Sequence, residues 1–458
     1  MTGDQGGLNE VNSTDQLFSE HRPQRTVGWP ENAAVSQPIS TSSLATYSAI
    51  AFPLAFAGLP IYLHAPDFYA VTQQVPLAVL GSVLLALRLV DAIQDPFIGS
   101  LSDRFHKYRN YIVITGAILL GAGFWMLFHP SSQATVAWFA ASVLICTTGF
   151  SVVSINFQTL GGLWLTGPAE RTRITAGREA VGLLGLLVAA ITPPLLARAF
   201  SPADAFHWLT LLYLPLLGIA CWLLLRWMRE VPMEAPVPTR QRAGWRALLK
   251  DRWRALFFGT VFLNTFASAI PAVLVLFFVR DRLNAEAYTG LFLLVYFLSG
   301  ALSMPFWTRL ARRSGKLRAW QISLGAAVAT FFWAAFLGQG DLITYGLICM
   351  LSGLALGADL ALPPAILADH IEADHRQQEA SRLFSVMAFL SKSALAIATG
   401  LSLPLLGLFG YHPNVPMTSE LEFALSFTYA GLPCLFKIVA LGGLIFFEKD
   451  LAQNKSTV

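Results

Sequence analysis

Charge is what this sequence has least of. Asp, Glu, Lys and Arg together make 13% of its 458 residues, while 55% are hydrophobic; water-soluble domains carry about 25% charged residues. A chain so poor in charge cannot clothe a surface that faces water, which excludes a soluble fold. Cysteine is scarce as well. Cys146, Cys221, Cys349 and Cys434 stand singly in apolar stretches, a pattern that gives neither a disulfide framework nor zinc-ligand spacing. The basic residues form no stripe, and the net charge of +4 is scattered through short loops, so nucleic acid is not an expected partner. The sequence has no phosphate-cradling GxxxxGK[ST] loop and no GxSxG nucleophile elbow with suitable partners. Neither nucleotide hydrolysis nor hydrolase chemistry is expected, and no cofactor. Residues 1 to about 40 are polar and lack the apolar core and small-residue cleavage site of a signal peptide; they read as a disordered tail.

What the sequence does have is a series of apolar runs, each about the length one helix needs to cross the hydrocarbon of a bilayer. Runs such as LTLLYLPLLGIACWLLL lack the alternation of a barrel strand, so the expected fold class is an all-α integral membrane protein. The runs place spans near 44–63, 76–101, 110–129, 134–165, 179–199 and 205–225, and again near 255–279, 287–308, 319–338, 341–367, 383–408 and 424–447. These are twelve transmembrane helices in two six-helix bundles, 44–225 and 255–447. Between the bundles lies a linker at 226–254, rich in Pro and charge, and tails at 1–43 and 448–458 flank them. With both termini on the cytoplasmic side, nearly all Lys and Arg fall in inner loops, against Arg198, Arg280 and Arg282 outside. That is the bias expected of a multi-pass protein of the bacterial inner membrane.

An internal repeat supports the two bundles. PFIGSLSDRFHKYR from Pro96 and PFWTRLARRSGKLR from Pro305 each follow the second span of a half, and share Leu101 with Leu310, Lys107 with Lys316 and Arg109 with Arg318. Parallel repeats of this kind are used by secondary transporters that hold solute near the midplane between the halves. In the first copy Gly99, Asp103, Arg104, Lys107 and Arg109 make a candidate conformational loop, with the acid expected to cap or pair at a helix end.

Three charges sit inside the second span: ALRLVDAIQDPFIG carries Arg88, Asp91 and Asp95. Each unpaired charge at such depth costs about 2.5 to 3.5 kcal/mol on insertion scales. At 100° per residue, positions i, i+3 and i+7 fall on one helix face, with Gln94 beside them. Two carboxylates one turn apart in a low dielectric repel unless a cation sits among them. Lys392, deep in the eleventh span, is the expected counter-charge when that cation is absent. A static ion network that fixes helix packing is the alternative reading. Asp359 and Lys437 are further intramembrane charges that could pair, snorkel or line a solute path. Asn264 reads as a polar contact between helices. The acids and histidines of ADHIEADHRQQEASR, among them Asp369, His370, Glu372 and Asp374, read as a solvated capping loop in preference to a metal cluster.

At these residues the chain resembles the glycoside–pentoside–hexuronide:cation symporters, the melibiose permease branch of the major facilitator superfamily, over about residues 44 to 447. GSLSDRFHKYR is similar to the superfamily's loop signature. The second-span pattern of Arg, Asp and Asp before Pro falls on Arg88, Asp91, Asp95 and Pro96. The resemblance implies that Asp91 and Asp95 ligate the coupling cation, a proton or a sodium ion, and Lys392 matches the family's eleventh-span lysine. In SINFQTLGGLWLTGPAERTRITAGREAVG the later arginine is Arg178, which the resemblance implies helps to hold substrate. The departures are specific. The first span has no acid, Ser154 stands where a fourth-span aspartate would be, Gln158 replaces a tryptophan, Gln94 replaces an asparagine, and Ser151 falls near a hydroxyl ligand. Those absent groups grip galactoside hydroxyls, so the cation site is implied more firmly than a melibiose-like sugar, and sodium and proton both stay open.

The expected mechanism follows. A cation binds among Asp91, Asp95 and Ser151, frees Lys392, and raises affinity for a small solute held by Arg178, Ser154, Gln158, Lys392 and Asp359, in a monomer bathed in membrane lipid. Two alternatives accompany it. A pocket without sugar-gripping acids but with many aromatic residues would suit a lysophospholipid. A non-transporting receptor or assembly factor would keep the ion network as structure only.

Overall fold

The computed structural model describes residues 39–130, 135–233, 244–410 and 418–452. The expected tails at 1–43 and 448–458 and part of the 226–254 linker therefore lie largely outside the described residues. Among the described residues twelve long helices follow one another: α1 (Thr41–Tyr62), α2 (Leu77–Arg104), α3 (His106–Phe128), α4 (Thr135–Gly162), α5 (Pro168–Leu196), α6 (Pro202–Glu230), α7 (Arg252–Arg282), α8 (Thr289–Ser314), α9 (Lys316–Phe336), α10 (Leu342–Ala373), α11 (Ala380–Leu408) and α12 (Ser419–Phe446). Among the described residues the only β pairing is an isolated bridge between Trp164 and Met233.

Eleven of these helices are long and apolar enough to cross a membrane. The other, α2, has 28 residues, about 42 Å at the helical rise. It carries Arg88, Asp91 and Asp95 along that length. Helices win because a span in hydrocarbon must satisfy its backbone internally, and the same rule tolerates proline where neighbouring helices cover the freed carbonyl. Pro96, Pro271 and Pro305 all sit inside helices. α1, the first helix of its set of six, runs into a π-helical turn, Pro60–His64, that continues as a short helix, Ala65–Val71, and α7, the first of the other set, ends in another π turn, Phe278–Arg282.

Large apolar side chains cover the outside. Phe97 is 71% exposed and Ile343 82%, values that only a lipid environment makes inexpensive. Inside, one apolar cluster draws on residues 39–227 and two others mainly on helices α7 to α12, one of them taking in Leu163 after α4. A small one, Ala176, Leu183, Met304 and Ala361, joins α5 to α8 and α10. Glycines let helices touch backbone to backbone in both sets. A Cβ on Gly149 would lie 2.3 Å from the Leu120 nitrogen, and one on Gly353 2.4 Å from the Tyr296 oxygen, the close packing that replaces the hydrophobic effect between helices in lipid. All four cysteines are buried free thiols.

Helix ends depart from the hydropathy pattern where charge is present but faces inward. α5 begins at Pro168, eleven residues before the expected 179, because Arg171 and Arg178 of its first turns are buried against other helices. α10 runs on to Ala373, past the expected 367, for the same reason. α6 continues to Glu230, into the expected linker.

Candidate functional site

Asp91 and Asp95 lie one turn apart on α2 and are 4% and 0% exposed. Lys392 of α11 reaches both. Its Nζ stands 2.9 Å from Asp91 Oδ1 and 2.8 Å from Asp95 Oδ1, and donates to Ser151 Oγ of α4 at 2.7 Å. Ser151 donates in turn to Asp91 Oδ1 at 3.1 Å. Gln94 donates to the same Oδ1 at 2.9 Å and is itself held by Thr148 Oγ1 at 3.0 Å. Asp91 Oδ1 is thus fully clothed. Asp95 is not: its Oδ2 is buried and has no hydrogen-bond partner among the described residues. Two carboxylates face one ammonium, so the cluster is one positive charge short, a costly arrangement in a low dielectric.

Arg88 does not supply that charge. It shares the helix sector of the two acids, yet its guanidinium lies over the Tyr62 ring at 5.0 Å, and it makes no ion pair among the described residues. Its long side chain reaches an aromatic face of α1, a contact that sequence spacing alone does not encode. Thr148, which sequence reasoning passed over, is found only through Gln94.

The proposed solute residues line α4 and α5. Ser154 and Gln158 continue the face of α4 that carries Ser151, and Gln158 donates to Ser154 Oγ at 3.2 Å. Arg178 is buried on α5, donates twice to Glu179 Oε1 at 2.9 and 2.6 Å, and has its guanidinium 5.9 Å from the Phe157 ring centre. Asp359 is not brought to this group. On α10 it pairs with Lys437 of α12 at 2.8 Å and accepts from Trp320 at 3.2 Å; Lys437 also donates to Asn264 of α7 at 2.6 Å. This second cluster balances one acid against one base and leaves no orphan.

The conformational loop is held at one end of the molecule, called here the basic end. Asp103 closes α2 and accepts from the backbone N–H groups of Ser381 and Arg382 at 3.0 and 2.9 Å, which caps the N-terminus of α11. Arg109 is 3.8 Å from Asp103 and donates to Ser381 Oγ at 3.0 Å. Gly99 sits so close to α11 that a Cβ would fall 2.3 Å from Ser385 Oγ. Arg104 and Lys107 are exposed.

The stretch expected to be a solvated loop is largely tied down instead. Asp369 pairs with Arg171 of α5 and, at 2.6 Å, with Lys316, and Glu372 also takes Arg171. Arg312 of α8 reaches Glu170 of α5 at 2.8 Å. His370 is buried, stacked on Trp253 at 3.6 Å. Arg171 of AERTR and Lys316 of the second basic loop therefore meet the acids of α10, while the first loop meets α11, and these contacts join the two sets of helices at the basic end. No group of three or more metal-ligating side chains occurs among the described residues.

Buried charge between two sets of membrane-spanning helices is the arrangement that multi-pass transporters use. Residues 45–450 match the family described as MFS/sugar transport protein, and the chain belongs to that family, within the major facilitator superfamily. A glucuronide carrier protein homolog of Escherichia coli (strain K12) is 24% identical over 93% of this chain and 96% of its own. The sodium-dependent lysophosphatidylcholine symporter 1 of Gallus gallus is 23% identical over 81% of this chain and 79% of its own. Among solved structures, a bacterial homologue of the iron transporter ferroportin in an outward-facing state superposes with a TM-score of 0.69 at 16% identity, covering 89% of this chain and 99% of that one; it supports the fold alone.

Proposed function

We propose that the chain is a symporter that couples downhill entry of a proton or sodium ion to movement of a small organic solute of the glycoside or hexuronide class. The observation that carries this reading is the charge deficit at α2. Lys392 pairs with one oxygen of Asp91 and one of Asp95 and leaves Asp95 Oδ2 bare. A proton on that oxygen, or a sodium ion shared among Asp91, Asp95 and Ser151, removes the deficit and releases Lys392 from a double pairing. Lys392 belongs to α11 and the acids to α2, so cation binding changes an attraction between the two sets of helices. By linkage, whatever solute favours the same arrangement binds more tightly with the cation present.

In this reading α1–α6 and α7–α12 are two six-helix domains joined by the 226–254 linker, and they rock about the site. The basic end faces the cytoplasm of a bacterial cell. The ion pairs of Arg171, Arg312 and Asp103 close that end, so the arrangement opens to the other side. Ser154, Gln158 and Arg178 offer hydroxyl, amide and guanidinium groups to the solute, and the protein works as a monomer. Asp359, satisfied by Lys437, drops to a structural role.

The kinship with a lysophosphatidylcholine symporter supports a second reading in which the solute is a single-chain amphiphile. One assay decides both. Uptake into energised vesicles is measured for glycosides, hexuronides and lysolipids with proton and sodium gradients imposed separately. Accumulation should follow one gradient and be lost in Asp95→Asn, with membrane insertion unchanged. Normal accumulation by that variant refutes the coupling site, and no flux of any solute under either gradient returns the receptor reading.

A further inference from the structure

A crevice of about 340 Å³ opens between α5 and α8 toward the basic end. Its wall is small and apolar: Ala176, Gly177 and Ala180 from α5 face Ala301, Met304 and Pro305 from α8. Beside it on α8, Leu302 and Phe306 are exposed at 70% and 56%, so the crevice lies next to the part of the surface that acyl chains cover. Its rim is basic. Arg173, Arg309 and Arg312 all line it, and the one acid among them, Glu170, is shared by Arg173 at 3.2 Å and Arg312 at 2.8 Å. Arg309 is exposed and makes no ion pair among the described residues. The rim therefore holds two positive charges in excess.

We propose that this crevice binds one phospholipid of the surrounding bilayer that carries a net negative headgroup, with the phosphate between Arg309 and Arg312 and an acyl chain along the alanine and glycine wall. The occupant follows from the two halves of the site. A free anion would leave the apolar wall empty, and a zwitterionic headgroup brings its own cation against the excess positive charge. Basic pockets between helices at a membrane face are suited to anionic headgroups, and a phosphate bridging two arginines gains charge-assisted hydrogen bonds. Arg312 also ties α8 to Glu170 on α5. A lipid there touches α5 through Arg173 and the alanine and glycine wall and α8 through Arg309, so it bridges the two sets of helices and stabilises the state in which the basic end is closed.

The test uses the purified full-length chain in detergent, titrated with phosphatidylglycerol, phosphatidylcholine or glycerol phosphate, with bound lipid counted by native mass spectrometry and stability followed by thermal unfolding. One phosphatidylglycerol should be retained and should raise the unfolding temperature, with phosphatidylcholine weaker and glycerol phosphate without effect. Arg309→Gln should weaken phosphatidylglycerol binding about fivefold and Arg309→Glu about twenty-five-fold, the ratios expected when one or two units of charge are lost at a membrane surface. Lys250→Glu, the same charge change elsewhere on the chain, should leave binding unchanged. Equal binding of phosphatidylcholine, equal stabilisation by glycerol phosphate, or undiminished binding in the Arg309 variants overturns the proposal. Arg309→Gln, which keeps the length and polarity of an exposed side chain, decides the matter if the charge reversal does not fold.

Discussion

At the scale of single residues, the arithmetic of buried charge separates the two clusters. The α2 site holds Asp91 and Asp95 against Lys392, so Asp95→Asn brings it to balance while Lys392→Met leaves two carboxylates alone. Removing one partner of a matched buried pair costs roughly 3 to 5 kcal/mol. Lys392→Met should therefore lower the thermal unfolding midpoint clearly, and Asp95→Asn should leave it level or raise it. The opposite order in a melting experiment would show that the Asp95 charge is itself stabilising, and so that the cluster is not short of positive charge. The Asp359–Lys437 cluster is balanced and should behave as an ordinary pair. Asp359→Asn and Lys437→Met alone should each cost on the order of 3 kcal/mol, and the double replacement should recover most of it, a coupling read from a double-mutant cycle. Asp91, Asp95 and Lys392 were legible in the sequence because charge in hydrocarbon needs a reason. The turn of Arg88 toward Tyr62 and the role of Thr148 were not, since both depend on where a neighbouring helix places its side chain.

At the scale of elements, α11 begins on another helix's carboxylate. Asp103 accepts from Ser381 and Arg382, a cap whose loss costs about 0.5 to 2 kcal/mol. The two helices belong to opposite sets, so that cost falls only on the state in which they are in contact. Asp103→Ala should thus favour opening at the basic end by a factor of about 2 to 30. Gly99→Val should act in the same direction through sterics, since even a Cβ would meet Ser385 Oγ at 2.3 Å. The check is thiol labelling at a cysteine placed at Ser385, which should quicken in Asp103→Ala relative to the unsubstituted background; an unchanged labelling rate would mean that the cap persists in both states. The order and number of helices could be read from apolar runs, because lipid leaves the backbone few choices. The starts of α5 and the end of α10 could not. Hydropathy scores Arg171 and Asp369 as polar, whereas here they face one another and not the bilayer.

At the scale of the whole molecule, a carrier must hold two packings of nearly equal free energy, and the ion pairs at the basic end weight one of them. Their contributions differ with burial. Arg312 is 44% exposed in its pair with Glu170, the setting in which an ion pair is worth about 0 to 1 kcal/mol. Arg171 is 1% exposed and serves both Asp369 and Glu372 across the interface, where the loss of one partner costs several times more, about 3 kcal/mol or above. The pairing of repeated loops hinted at two sets of helices, but which of the two packings prevails was not written in any pattern of residues, because one sequence has to serve both. Arg171→Ala should move the population toward opening at the basic end by a hundredfold or so, and Arg312→Ala by no more than about fivefold. Spin labels on the first residues of α3 and α9, read by pulsed electron resonance, would report the two distances. If Arg312→Ala shifts the distribution as far as Arg171→Ala, the closure is electrostatic at long range and the buried arginine is not its pivot.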